Sequence, residues 1–333
     1  MTPPDKIPPK FLPEFLAKPM PFALLLLLAA LGAGLAWWLW PRGPRLPGTE
    51  EIARAYAAPL PPPEGPIRVY FLGHSLIGRD MPAMLAQLAG PGHGYESQLG
   101  WGASLRDHWE PDVPVNGFAE ENAHPRFRPA RAAIESGAYD AVVLTEMVEI
   151  RDAIRYHDSP RYFAQWADLA WQADPDTRVY LYETWHPRDD PEGWLARIDA
   201  DRARYWENGL VLPVLARAGR PVHIIPGGPV LAAFTRAVEG RGGVGNIASR
   251  DDLFGRRADG SIDTIHLNDL GAYLIALTHY AVLYGRSPVG LPHALNRADG
   301  SPARAPAPET ARLMQETVWQ VVTADPRSGV AGG

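Results

Sequence analysis

Between Ile67 and the end of the chain, short apolar runs of strand length alternate with longer helical patterns. No other feature limits the possible folds as strongly. The runs that read as strands are Ile67–Leu72, Tyr95–Leu99, Ala141–Thr145, Arg178–Tyr182 and Val222–Ile225. Each is short, and most are largely apolar or β-branched, as parallel strands covered on both faces are. Helical patterns fall at Met81–Leu88, Pro129–Ser136, Pro160–Gln172, Leu195–Ala218, Val230–Val238, Leu270–Leu283 and about Glu309 to Thr323. In the last, Leu313, Met314, Val318, Val321 and Val322 lie near one face. Asn268 and Asp269 stand where the helix from Leu270 needs an N-cap. The alternation predicts an α/β fold with a doubly wound parallel sheet of five strands. Sites in such sheets lie beyond the carboxyl ends of the strands. That rule selects Gly73–Ser75, Gly100–Gly102, Thr145–Glu146, Glu183–His186 and Pro226–Gly228.

The first 66 residues differ from the rest. They hold 15 of the 35 prolines and the only lysines, Lys6, Lys10 and Lys18. Residues 20–40, "MPFALLLLLAALGAGLAWWLW", carry no charge. A bilayer core needs about 20 apolar residues in a helix, and Trp37, Trp38 and Trp40 suit a headgroup region. The expected organisation is a short cytoplasmic segment at 1–19 and a transmembrane anchor or uncleaved signal at 20–40. A Pro-rich linker follows at 41–66, then an α/β domain at 67–325 and a flexible tail at 326–333. A signal cleaved near Gly34-Leu35-Ala36 is the alternative. The lysines before the span, against Arg42 and Arg45 after it, place the N-terminus inside. The chain is then single-pass in the inner (cytoplasmic) membrane, with the large domain periplasmic or otherwise extracytoplasmic and the lipid bilayer a partner through residues 20–40.

The 333 residues include no cysteine, and the formal net charge is -6. Without cysteine there is no disulfide framework, thiolate metal site or cysteine nucleophile. Mild acidity argues against a nucleic-acid partner. No cofactor and no metal are expected.

At the first strand end stands "FLGHSLIGRD". Ser75 there is either an ordinary turn hydroxyl or a nucleophile. A nucleophilic serine needs a base, and the base needs an orienting group. Among ten histidines, His266 in "DTIHLND" stands out. Asp263 precedes it by three residues, a spacing that lets the carboxylate reach one ring nitrogen in a turn entering a helix. Taken alone, the pair also reads as a helix-start cap beside a surface histidine.

"FLGHSLIG" resembles the first block of the SGNH, or GDSL-type, esterase and lipase superfamily. "DTIHLNDLGAYLIA" resembles its last block, Asp-x-x-His before a helix, and "LGWGASL" has the position and glycines of its second. The resemblance covers most of residues 67–285 and implies a flavodoxin-like SGNH hydrolase fold. It also implies Ser75 as nucleophile, His266 as base and Asp263 as its orienting acid. The Ser75 N–H would be one oxyanion donor, and Gly102, or else Gly100, the second. The pattern breaks after the third strand. Where the family places an asparagine as third donor, "VVLTEMVEI" has Thr145 and Glu146. An ionised Glu146 cannot donate; Thr145 can, or Asn116 from "PVNGF" can swing in.

Glu183 and Glu146 would end neighbouring strands, where paired carboxylates raise each other's pKa. Glu183 then reads as a substrate contact, as a turn cap or partner of Arg188, or as a metal ligand with His186. Trp101, Trp109, Trp185 and Trp194 read as core packing or as a substrate platform at the site. His74 and His108 read as structural, and "GRGGVGN", 240–246, as a mobile loop. The leading reading is a membrane-anchored extracytoplasmic serine esterase that cleaves a small acyl ester, acetyl as the resemblance implies, with a carbohydrate as the alcohol. An O-acyltransferase acting on an envelope polysaccharide through the same serine is the alternative. A non-catalytic binding or assembly protein that keeps the fold is a second alternative.

Overall fold

The computed structural model describes residues 46–332. Five parallel strands form the central sheet: β1 Arg68–His74, β2 Gly94–Gly100, β3 Ala141–Leu144, β4 Arg178–Glu183 and β5 His223–Pro226, in the order β2-β1-β3-β4-β5. The order reverses between β1 and β3, so a crevice opens at the carboxyl ends of those two strands.

Alternation along each strand feeds two cores. Val69 and Phe71 pack on one face with the helices Asp80–Ala89, Gly227–Glu239, Asp269–Tyr284 and Pro308–Ala324. Tyr70 and Leu72 pack on the other, against the helices Ala130–Glu135 and Ser159–Ala173. This is the doubly wound α/β architecture that the sequence pattern predicts. The pattern over Leu195–Ala218 is one continuous helical stretch with a wide-turned middle. An α-helix, Trp194–Asp201, runs into a π-helical segment, Arg202–Val211, and then into Leu212–Ala218. Pro213 has no N–H to give an α-helical bond, and it falls where the wide-turned segment passes back into α-helix.

Two further strands, β6 Phe254–Arg256 and β7 Ile262–Leu267, make a small antiparallel hairpin outside the main sheet. The "DTIH" stretch lies on β7, not in a turn leading to the helix. At three and six residues, these strands are too short to show a period in sequence.

The segment expected as a linker is, from residue 46, part of the folded unit. It contains a helix, Thr49–Ala55. Tyr56 donates its hydroxyl to the Val222 carbonyl at 2.9 Å, and Arg178 donates to the Pro61 carbonyl at 2.7 Å. The tail expected to be flexible is docked as well. Ser328 is fully buried, Ile224 N–H donates to Arg327 O at 2.8 Å, and Leu60 N–H donates to Gly329 O at 2.7 Å. Proline marks extended chain but does not say whether that chain lies on a surface. The apolar stretch 20–40 lies outside the described residues. Among the described residues, no helix is long and apolar enough to cross a membrane.

Candidate active site

β1 ends at Gly73 and His74, and Ser75 begins the turn that follows. Space beneath the turn is tight. A Cβ on Gly73 would stand 2.6 Å from Thr145 Cβ, so only glycine lets β1 close onto the end of β3 here. Two neutral histidines brace the turn. His74 donates through Nε2 to Glu146 O at 2.7 Å and accepts the Leu76 N–H at Nδ1. His108 donates through Nε2 to Gly73 O at 2.8 Å, while Gln98 donates to its Nδ1 at 2.9 Å. Burial pulls both rings down to about 4, so each keeps the single proton its partners require.

Ser75 Oγ lies 3.0 Å from His266 Nε2, and His266 Nδ1 lies 3.2 Å from Asp263 Oδ2. The other oxygen of Asp263 accepts the N–H groups of Ile265 at 2.8 Å and His266 at 2.9 Å. Burial alone would raise the Asp263 carboxyl, but these N–H groups and the ring outweigh it and hold it below its ordinary value. It therefore stays ionised and orients His266 with Nε2 free for the serine proton. β7, which carries both groups, is held from outside. Trp185 Nε1 donates to Ile265 O at 2.8 Å, and Arg188 N–H donates to Thr264 O at 2.7 Å. A hydroxyl, an imidazole and a carboxylate in line at these distances can generate a serine nucleophile.

No protein-family profile matches the chain, and no curated protein does. Among solved structures it is similar to a GDSL-like lipase from Parabacteroides merdae, at 13% identity and TM-score 0.39, over 66% of this chain and 96% of that one. It is also similar to a gut microbial diltiazem-metabolizing enzyme, at 14% identity and TM-score 0.36, over 68% of this chain and 49% of that one. A carbohydrate esterase family 2 enzyme with its carbohydrate-binding domain, from Myceliophthora fergusii, matches at 11% identity and TM-score 0.30, over 50% of this chain and 57% of that one.

Ser75 and His266 open onto a cleft of about 1060 Å³. Gly102 lines it with a φ of +58°, and nothing stands within 4 Å of where its Cβ would be. Neither Ser75 N–H nor Gly102 N–H donates to any acceptor among the described residues, which leaves both for an oxyanion. Gly100 does not serve. A Cβ there would run into Val115, so this glycine makes room for packing and does not line the cleft.

The other predicted residues divide. Trp101 is on the cleft, 52% exposed, with its indole N–H on Glu121 at 2.8 Å. Trp185 is buried and holds β7; Trp194 is core, and Trp109 stacks edge-on against Trp166. The four tryptophans therefore do not form one platform. Thr145 is buried under Gly73 and off the cleft, so it is not placed as a donor. Exposed Asn116 is used through its backbone carbonyl, which accepts Trp101 N–H at 2.7 Å.

Glu146 and Glu183 are not a carboxylate pair. Glu146 is fully buried, and its Oε1 accepts the N–H groups of Met147 at 2.9 Å and Leu105 at 3.2 Å, tying the helix Leu105–Trp109 to the end of β3. Burial raises its carboxyl to about 7 against these hydrogen bonds. Glu183 is ion-paired with Arg202, which also holds Glu207 and Asp325. His186 lies 3.3 Å from Asp201 in a buried network centred on Arg197. Arg188 pairs with Asp251 at 2.9 Å, not with Glu183. Among the described residues no group of three or more His, Cys, Asp or Glu could hold a metal ion. The 240–246 stretch is tied down, with Asn246 accepting Ala307 N–H at 2.9 Å.

Sequence reasoning missed the Gln98–His108–Gly73 chain and the polar and charged rim of the cleft, which includes Arg79, Glu120, Glu121, His124 and Asp299. Nothing in sequence links residues 98, 108 and 73 until β1 and β2 are paired. The rim residues lie in turns and a five-residue helix, Phe118–Asn122, with no pattern of their own.

Proposed function

We propose that the chain is a membrane-anchored, extracytoplasmic serine esterase, a carboxylic ester hydrolase that cleaves small acyl esters, acetyl first among them, on a carbohydrate. The observation that carries this reading is the 3.0 Å contact of Ser75 Oγ with a His266 ring oriented by Asp263. His266 Nε2 takes the serine proton as Oγ attacks the ester carbonyl. The N–H groups of Ser75 and Gly102 face the developing oxyanion. The intermediate collapses, His266 gives its proton to the departing alcohol, and the acyl group stays on Ser75. Water then enters, loses a proton to His266 and releases the acid.

Two donors stand where the family pattern has three, and a donor is worth roughly 10²–10³ in rate. The reading therefore implies a modest esterase. An open cleft with a charged rim and an exposed indole suits a polar, ring-shaped alcohol such as a sugar. The uncharged stretch 20–40 supports a membrane anchor.

Labelling with a fluorophosphonate tests the nucleophile. The wild type should label, while Ser75→Ala and His266→Ala should not. Labelling that survives Ser75→Ala would exclude this mechanism. Release of acetate with and without an oligosaccharide acceptor then separates hydrolysis from transfer.

A further inference from the structure

Glu146, which follows β3 where the family pattern has its asparagine, is bonded to both segments that supply the proposed oxyanion donors. On one side, His74 donates through Nε2 to the Glu146 carbonyl at 2.7 Å and accepts Leu76 N–H at Nδ1 at 3.3 Å. These two bonds bracket Ser75. On the other side, Glu146 Oε1 accepts Leu105 N–H at 3.2 Å and Met147 N–H at 2.9 Å. Leu105 opens the helix Leu105–Trp109, three residues after Gly102. His108, on that same helix, donates back to the Gly73 carbonyl at 2.8 Å. The contacts close a circuit: from Glu146 to His74, along the chain to Gly73, across to His108, and through Leu105 to Glu146 again.

We propose that Glu146 is a positioning residue that holds the Ser75 and Gly102 N–H groups in mutual register for the oxyanion. The proposal rests on the serine-esterase reading above.

Gly102 has little to hold it by itself. It carries no side chain, its φ is +58°, and nothing stands within 4 Å of where a Cβ would be. The aim of its N–H is therefore set by the residues that follow. Ser104 and Leu105 are fully buried, and Ala103 nearly so. Ser104 is further fixed by a capping box with Asp107. The anchor of this short segment on β3 is the Glu146 carboxyl, itself fully buried. Burying a carboxyl is costly, and an apolar side chain would fill the same space without that cost. It would not offer an acceptor to Leu105 N–H. Donors fixed before the reaction need no rearrangement as charge develops, and the circuit provides that fixity for two donors where the family pattern has three.

The test compares Glu146→Met, which keeps the length of the side chain and removes the acceptor, with Glu146→Gln, which keeps the acceptor. Steady-state hydrolysis of p-nitrophenyl acetate is measured with the full-length protein in detergent. In the methionine variant kcat should fall at least about tenfold, bounded by the roughly 10²–10³ of a donor lost outright. Its KM should stay within about twofold of the wild type, and the glutamine variant should recover kcat to within about threefold. A trifluoromethyl ketone adds to a serine as a hemiketal that carries the oxyanion. Its inhibition constant should rise in the methionine variant by the same factor by which kcat/KM falls. A merely structural glutamate would lower the melting temperature and leave these ratios unmoved. Glu146→Asp, which withdraws the acceptor by one methylene, reads the same split should the methionine variant fail to fold. A folded methionine or aspartate variant with wild-type kcat, a loss confined to KM, or a glutamine variant as impaired as methionine would each overturn the proposal. A wild type that neither hydrolyses the ester nor reacts with a fluorophosphonate would instead remove the esterase reading, and with it the oxyanion that these groups serve.

Discussion

Replacing Glu146 by glutamine should make the protein's stability less sensitive to pH. The Glu146 carboxyl is fully buried, and one of its oxygens, Oε2, has no hydrogen-bond partner. Its value rises from 4.5 in the unfolded chain to about 7 in the folded one. Below pH 4.5 both states hold the proton, and the group has no effect on folding. Between the two values the unfolded chain gives up its proton and the folded chain keeps it, so stability falls as pH rises. Above about 7 the loss is complete and amounts to about 3 kcal/mol. Glutamine still offers an oxygen to the Leu105 and Met147 N–H groups, and it does not titrate. Urea unfolding followed by tryptophan fluorescence, from pH 4.5 to 8, measures both proteins. The difference in unfolding free energy, variant minus wild type, should grow by about 3 kcal/mol across that range. A difference that stays flat with pH would refute the buried-acid reasoning. Activity adds a second check. If Glu146 faced the oxyanion, an amide there would gain a donor worth roughly 10²–10³ in kcat. The hydrogen bonds above place the carboxyl on a helix end instead, so kcat at pH 7 should stay near that of the wild type.

Asp263→Asn should leave the melting temperature nearly unchanged and lower kcat by up to about 10⁴ by favouring the wrong His266 tautomer, as read by steady-state hydrolysis. Gly100→Ala forces a methyl into Val115 and should destabilise by about 1–3 kcal/mol in thermal unfolding. Gly102→Ala meets no neighbour and should cost only about 1 kcal/mol for its left-handed backbone. His108→Ala strips the Gly73 carbonyl and Gln98 amide of their partner and should cost about 1–3 kcal/mol. Its kcat should fall as well, because the turn that aims Ser75 loosens. Trp101→Ala should raise KM for an acetylated oligosaccharide and leave turnover of p-nitrophenyl acetate unchanged.

The sheet was legible because four of its five strands are short, mostly apolar runs; the fifth, β2 at the sheet's edge, carries Glu96, Ser97 and Gln98 and is marked mainly by the glycines that bound it. The meeting of Ser75, His266 and Asp263 was legible because the three lie in two short motifs with fixed internal spacing. Gly102 was separable from Gly100 only by environment, since both are glycines of one "GWG". Glu146 and Glu183 misled for a related reason. Register placed them at adjacent strand ends, but partners drawn from distant segments, Leu105 and Arg202, decide where each carboxylate goes. The tryptophans show the same limit, because an indole beside a strand end is equally suited to a core and to a rim.

The β6–β7 hairpin carries the proposed base and its orienting acid, while the proposed nucleophile follows β1 of the main sheet, 191 residues away. Two strands of three and six residues, docked through Trp185 and Arg188, form a far smaller cooperative unit than the sheet they face. Units of this kind open at lower free energy than the whole fold. Catalysis should therefore disappear at denaturant concentrations where the tryptophans of the core still report a native protein. Loss of activity is then a measure of hairpin docking, not of unfolding.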